Sequence, residues 1–171
     1  CAIASMNDMA APSVSLEGRQ LWLAQSLPVA PWQVLRAKLD TQLLLTGAPV
    51  LFCALCMVIT LPGGALEKVL LVVVALLYTL LSALAALALG LKMPNLTWTN
   101  ETTPIKQSGC VMLALFANWF YAIALGGLYF LCGRYLSAAA YLALAAAITA
   151  AVCALLLRWV KQRGTRIFAA L

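Results

Sequence analysis

Four long stretches without a charged residue constrain the fold of this chain more than any other feature. Each has 21 to 23 residues, and they cover positions 41–61, 69–91, 111–133 and 135–157. A helix of about 20 apolar residues crosses the roughly 30 Å of hydrocarbon in a bilayer. The stretches lack the alternation of barrel strands, and a helix satisfies its own backbone hydrogen bonds in lipid. The sequence therefore predicts an all-α membrane protein with four transmembrane helices.

The composition indicates lipid rather than water as the main solvent. Apolar residues make up 65% of the chain and charged residues only 9%, against about 25% charged in a typical soluble domain. The net charge of +6 does not indicate nucleic-acid binding, because the basic residues lie at the ends of the apolar stretches. We therefore expect the lipid bilayer as a partner and no nucleic acid.

The distribution of Lys and Arg between the connections predicts the orientation. One side would hold nine of them: Arg19, Arg36, Lys38, Lys92, Lys106, Arg158, Lys161, Arg163 and Arg166. The other side would hold two, Lys68 and Arg134. Cytoplasmic loops carry the excess of basic residues. Segment 13–40, loop 92–110 and tail 158–171 are therefore predicted to be cytoplasmic.

Residues 13–40 read as an amphipathic element at the cytoplasmic surface. Leu16, Leu23 and Leu27 share one side, and Pro31 suits the first position of a second helix that runs into the first span. No basic segment of a signal peptide precedes the apolar residues at the start of the chain. We expect residues 1–12 to be the tail of a preceding membrane helix that is missing, so that the chain is the C-terminal portion of a longer protein.

Short motifs in the two cytoplasmic segments resemble those of a known family. The first segment contains Glu17-Gly18-Arg19, Ser26-Leu27-Pro28-Val29 and Arg36-Ala37-Lys38. The loop contains Asn100-Glu101, followed by Lys106-Gln107. This pattern is similar to that of permease subunits of type-2 ATP-binding-cassette exporters, in particular a Gram-positive-type branch. In that family the first motif follows the second span of a six-span core, and four spans follow it.

The resemblance implies a coupling segment that docks onto a separate cytoplasmic ATP-binding subunit. Its contact residues would be Glu17, Gly18, Arg19, Leu23, Leu27 and Pro28. A second contact, with a solvated loop as the alternative, would use Asn100, Glu101, Lys106 and Gln107. A second permease copy or a homologue would complete the pathway in a bacterial plasma membrane. ATP would be bound by the partner, so this chain would need no cofactor.

Two features inside the spans admit more than one interpretation. Ser82, Ala86 and Gly90 repeat every four residues, which allows close helix packing within one bundle or at a seam between subunits. Asn118 is the one carboxamide well inside a span, whereas Gln42 lies at a membrane edge. Asn118 would line a pathway or form a hydrogen bond with a neighbouring helix.

The sequence contains no recognisable catalytic or metal-binding constellation. It has no histidine, its five carboxylates lie outside the spans, and it has no phosphate-binding G-x-x-x-x-G-K-[ST] motif. We therefore expect no enzymatic site, no metal site and no intramembrane proton relay. The leading hypothesis is the permease subunit of an exporter. The alternatives are half of a secondary transporter and a membrane scaffold that transports nothing.

Overall fold

The computed structural model describes residues 11–13, 15, 30–94, 109–132 and 137–170. These residues form helices joined by turns and short extended connections, and none of them belongs to a β-strand. Four of the helices are long and apolar enough to cross a membrane. The prediction of an all-α protein with four transmembrane helices is therefore confirmed, whereas the amphipathic helix predicted before them falls largely outside the described residues.

The helices are numbered along the chain. They are α1 (Pro31–Thr60), α2 (Ala65–Lys92), α3 (Gly109–Cys132), α4 (Ala138–Trp159) and α5 (Thr165–Ala170), with a π-helical segment, Val160–Gly164, between the last two. At a rise of 1.5 Å per residue, the 30 residues of α1 extend about 45 Å. This length exceeds the hydrocarbon thickness, so the charged first turns of α1 can lie outside the lipid core.

Helix α1 begins where the prolines in the sequence predict. Ala30 is extended, and Pro31, whose ring presets a helical φ, is the first helical residue. The side-chain oxygen of Gln33 accepts a hydrogen bond from the backbone N–H of Ala30 at 3.2 Å. The helix continues through Pro49, which has no N–H to donate to the carbonyl of Leu45.

Helix α2 is the centre of the bundle, because it packs against α1, α3 and α4, whereas α3 and α4 touch each other little. Its buried residues are Tyr78, Thr79, Leu81, Ser82, Ala83, Leu84, Ala86, Leu87, Ala88, Gly90 and Leu91. Tyr78 lies near the middle of the helix, and the other ten lie in its second half. The core is therefore concentrated at the end of the bundle that the charge distribution predicts to be cytoplasmic.

The small residues of α2 are covered by the chain itself. Ser82 and Ala86 are fully buried, and Gly90 lies against the backbone of Ala11. A Cβ at position 90 would collide with the carbonyl oxygen of Ala11. Of the two interpretations of this face, the structure therefore supports packing within one chain.

The tail predicted over residues 158–171 is helical as far as residue 170 and belongs to the core. Val160 and Phe168 are buried at 0% and 2% exposure. A Cβ added to Gly164 would come within 3.0 Å of the side chain of Leu91. The π-helical turn thus lies directly against the end of α2 and leads into α5.

The outer surface of the bundle is strongly apolar. Phe52 is 70% exposed, Ile59 82%, Phe120 76% and Phe130 88%. Water-soluble proteins rarely expose contiguous apolar surface on this scale. Together with the four apolar helices, this surface indicates a multi-pass membrane protein whose helices contact lipid.

Candidate functional site

All ten predicted contact residues of the coupling site lie outside the described residues. This applies to Glu17, Gly18, Arg19, Leu23, Leu27 and Pro28 in the first segment. It applies equally to Asn100, Glu101, Lys106 and Gln107 in the loop. Both contact surfaces therefore stay predictions. The structure does describe Asn118 and the residues on both sides of the first contact motif, positions 17–28. We call these residues the flanks of the coupling segment, and they show how it is attached to the bundle.

The flank before the coupling segment is packed into the base of the bundle. Ala11 is fully buried against Gly90 of α2, and the Sγ of Cys110 at the start of α3 lies 3.8 Å from the Ala11 carbonyl oxygen. The ammonium group of Lys38 on α1 donates a hydrogen bond to the carbonyl oxygen of Ser13 at 2.9 Å. This flank therefore contacts α1, α2 and α3 at one end of the bundle.

The flank after the coupling segment is the first part of α1. Leu35 and Leu39 are 0% and 5% exposed and belong to the same core as Ala11. Residues 16–29 therefore connect two points that are both packed against the bundle.

Asn118 lies in the interior, at the contact between α2 and α3. Asn118 is only 2% exposed, and its backbone carbonyl accepts a hydrogen bond from the Tyr78 hydroxyl at 2.9 Å. The rings of Tyr78 and Tyr121 stack with centroids 6.3 Å apart. This buried position joins two helices, and a role of Asn118 in a pathway stays a prediction.

Tyr121 and a further tyrosine, Tyr141, connect α3 to α4. The Tyr121 and Thr149 hydroxyl oxygens are 3.0 Å apart, and the Thr149 hydroxyl donates to the carbonyl oxygen of Ala145 at 2.7 Å. A threonine hydroxyl has one proton, so Tyr121 is the donor to Thr149. The Tyr141 hydroxyl donates to the carbonyl oxygen of Leu125. Hydroxyl groups therefore join two helices that have few other contacts.

Helix α1 contributes its own buried polar pair. The Gln42 side-chain nitrogen donates to the Thr46 hydroxyl oxygen at 3.0 Å, and both residues are 1% exposed. The position of Gln42 on α1 therefore faces the bundle, and the expectation that it lies at a membrane edge stays a prediction. The buried polar side chains among the described residues are all uncharged, as a bilayer interior favours.

Sequence reasoning missed the role of Tyr78, Tyr121 and Tyr141. Tyrosine is common at membrane interfaces, where its hydroxyl reaches water. Tyr78 and Tyr121 lie near the middle of their helices, where a hydroxyl needs a protein partner. A tyrosine in the middle of an apolar stretch was therefore a usable signal of a contact between helices. The identity of the partner was not readable.

Comparison with known proteins places the chain in a family. Residues 3–158 match a family model described as "Membrane protein of 12 TMs". The chain belongs to this twelve-span family. The four membrane-competent helices described above agree with that membership and account for a third of the spans in the family's description. No curated protein and no solved structure matches the chain.

The match to the twelve-span family includes both predicted cytoplasmic contact segments. Segment 13–40 and loop 92–110 fall inside the matched range of 3–158. The family's description states a membrane protein and a number of spans, and it states no activity. It therefore supports a multi-span membrane protein and does not test the predicted coupling role.

Proposed function

We propose that this chain is a permease portion of an ATP-driven exporter in a bacterial plasma membrane, moved by a separate cytoplasmic ATP-binding subunit. The proposal is supported by the motifs at positions 17–28 and 100–107, which resemble those of type-2 ATP-binding-cassette permeases. Both motifs lie on the side to which charge assigns nine basic residues against two.

The observation that carries the proposal is the attachment of the coupling segment at both ends. Its preceding flank packs against Gly90 of α2 and hydrogen bonds to Lys38 of α1. Its following flank is α1 itself, from Pro31. A push by the ATPase on residues 16–29 would therefore tilt α1 and α2 together. Helices α3 and α4 would follow through the hydroxyl bonds of Tyr78 and Tyr121, and the bundle would alternate between inward-facing and outward-facing states.

The number of spans in the family's description suits a paired pathway. The resemblance implies a six-span core that acts together with a second copy or a homologue. Twelve spans equal two such cores. We propose that a second core, in the same protein or in a partner, forms the pathway with these helices.

ATP would be bound and hydrolysed by the partner subunit. The chain has no phosphate-binding G-x-x-x-x-G-K-[ST] motif of its own. We propose that it contributes no catalytic group and no cofactor, and that it converts the movement of the ATPase into a change of access across the membrane.

The test reverses one charge at the proposed contact. Glu17→Arg in the full-length protein is expected to weaken co-purification of the ATPase, or to remove the dependence of ATP hydrolysis on substrate. Removing one member of a buried charge pair costs about 2–5 kcal/mol, much of it because the partner charge is left unpaired. Membrane insertion should be unaffected, because position 17 lies outside every predicted span.

The matched control is Glu67→Arg, the same substitution in the first turn of α2, at the opposite end of the bundle. It should leave both ATPase readouts unchanged. The proposal fails if no ATPase co-purifies with the wild-type protein, or if Glu17→Arg behaves as Glu67→Arg does. Transport that is driven by an ion gradient without an ATPase would support a secondary transporter, and an absence of transport would support a scaffold.

A further inference from the structure

A cavity of about 330 Å³ lies between the end of α2 and the end of α4. Its lining residues are Ala85, Ala88, Leu89, Lys92, Leu156 and Trp159. Known ligand pockets measure about 300–1,000 Å³, so this one is large enough for part of a small ligand. Five of its six lining residues are apolar or aromatic, and one carries a positive charge. The two alanines on α2 leave the space that larger side chains would fill.

The charged residue is held at a defined place. The Lys92 ammonium lies 5.6 Å from the centre of the Trp159 ring, which is the geometry of a cation–π contact. Lys92 belongs to the last turn of α2 and Trp159 to the last turn of α4. Lysine and tryptophan at helix ends are typical of the boundary between hydrocarbon and headgroups.

The surrounding charge at this end is positive. Arg158 precedes Trp159, and Lys161 and Arg163 follow it in the π-helical segment. Among the described residues, the carboxylates are Asp40 and Glu67. Asp40 lies 3.6 Å from Arg36, and Glu67 lies at the opposite end of α2. An anionic group at Lys92 would therefore meet little opposing negative charge from side chains in the described part of the chain.

We propose that this cavity is a binding site for an anionic phospholipid. One acyl chain would lie along Ala85, Ala88 and Leu156, and the phosphate would contact the ammonium group of Lys92. Basic pockets between membrane helices on the cytoplasmic side bind anionic headgroups in this way. The combination selects an anionic lipid, because a free phosphate would gain nothing from the apolar walls and the ammonium group of a zwitterionic headgroup would offset the attraction of its phosphate to Lys92.

The carbonyl end of α2 makes the site depend on its cation. The last carbonyl groups of a helix carry a partial negative charge, which repels phosphate. Lys92 offsets that charge at the mouth of the cavity. Reversing the charge of this residue should therefore weaken the binding of anionic lipid more than that of zwitterionic lipid.

The experiment measures lipid retained by the intact protein in nanodiscs and after transfer to detergent. Nanodiscs with phosphatidylglycerol and phosphatidylcholine in equal amounts are used, and native mass spectrometry reports the bound lipid. Wild type should retain phosphatidylglycerol preferentially. Lys92→Glu should lower this preference about fivefold or more, as expected for losing one lysine contact with an anionic lipid. Lys68→Glu, at the other end of α2, is the charge control and should retain the preference.

A second pair of variants tests the apolar part of the site. Ala85→Leu fills the cavity and keeps Lys92, and it should also reduce phosphatidylglycerol retention. Ala154→Leu adds the same atoms at an exposed position of α4 outside the cavity lining and should have no effect. Size-exclusion profiles verify that each variant is folded. The proposal is overturned if wild type shows no preference, if Lys92→Glu matches Lys68→Glu, or if Ala85→Leu retains as much phosphatidylglycerol as Ala154→Leu.

Discussion

At the scale of single residues, hydroxyl groups form hydrogen bonds between helices in the bilayer, which apolar side chains cannot form. Lipid tails are as apolar as leucine, so helices associate through close packing and hydrogen bonds. Tyr78 and Tyr121 supply such bonds from α2 to α3 and from α3 to α4. Large side chains on α3, such as Phe116 and Phe120, are exposed at 60% and 76%. The contact between α3 and α4 therefore depends strongly on the few polar groups that join these two helices.

The Tyr121–Thr149 bond can be measured by a double-mutant cycle. Tyr121→Phe removes the donor, and Thr149→Val removes the acceptor with little change in shape. We expect a coupling free energy of about 0.6 kcal/mol, and at most about 1.7, as for hydrogen bonds between membrane helices. The measurement is the free energy of unfolding in mixed detergent micelles. Tyr129→Phe, at a 49% exposed position, is the control for loss of a hydroxyl. A coupling energy of zero would show that the two groups do not bond.

At the scale of secondary-structure elements, α2 is the helix against which most other parts of the chain pack. It contacts the other four helices and, through Gly90, the segment that precedes the coupling motif. Small residues at 82, 86 and 90 let neighbouring backbones approach closely. The tail also depends on α2, since the Cβ position of Gly164 lies 3.0 Å from the Leu91 side chain. The second half of α2 therefore holds together parts of the chain that are far apart in sequence.

The close contact at Gly90 predicts that alanine is tolerated less well at this position than at a glycine with open space around it. Gly90→Ala should lower the free energy of unfolding by about 1–3 kcal/mol, the usual cost of overpacking, because its Cβ would meet the Ala11 backbone. Gly126→Ala on α3 meets no atom within 4 Å and should be neutral or stabilising, since alanine is the better helix former. Folded yield and unfolding in detergent measure both variants. Equal stability of the two would mean that Gly90 is not in close contact.

At the scale of the whole molecule, one end of the bundle combines the core, the basic residues and the flanks of the coupling segment. The buried half of α2, Ala11 and the π-helical turn all lie there. Exposed basic residues at this end would face the cytoplasm by the distribution of charge. In the proposed exporter, the mechanical input would arrive at this better-packed end, and the opposite end would be the one that opens.

The orientation is testable by labelling single cysteines in a background without the six native ones. Cysteines at Gly64 and Ser137 should react with impermeant thiol reagents added outside the cell. Cysteines at Thr99 and Gln162 should react only after permeabilisation. The expectation rests on nine basic residues on one side against two on the other. The opposite labelling pattern would reverse the topology and remove the basis of the coupling proposal.

The sequence by itself determined the number and type of the membrane-spanning elements. The energy of placing a helix in lipid is nearly a sum over its residues, so an uncharged stretch of 21 to 23 residues is sufficient. The start of α1 was also determined by the local sequence, because the ring of Pro31 restricts its own backbone.

Only the tertiary structure decided which helices are neighbours and what each buried group contacts. The sequence marked Ser82, Ala86 and Gly90 as a close-packing face, but the structure placed Ala11 against it. The sequence contained Tyr121 and Thr149, but their bond depends on the relative rotation of α3 and α4. All four helices are apolar enough to cross a membrane, so hydropathy by itself does not determine which helices are neighbours. The choice depends on the shape and hydrogen bonding of residues distant in the chain, which no local pattern contains.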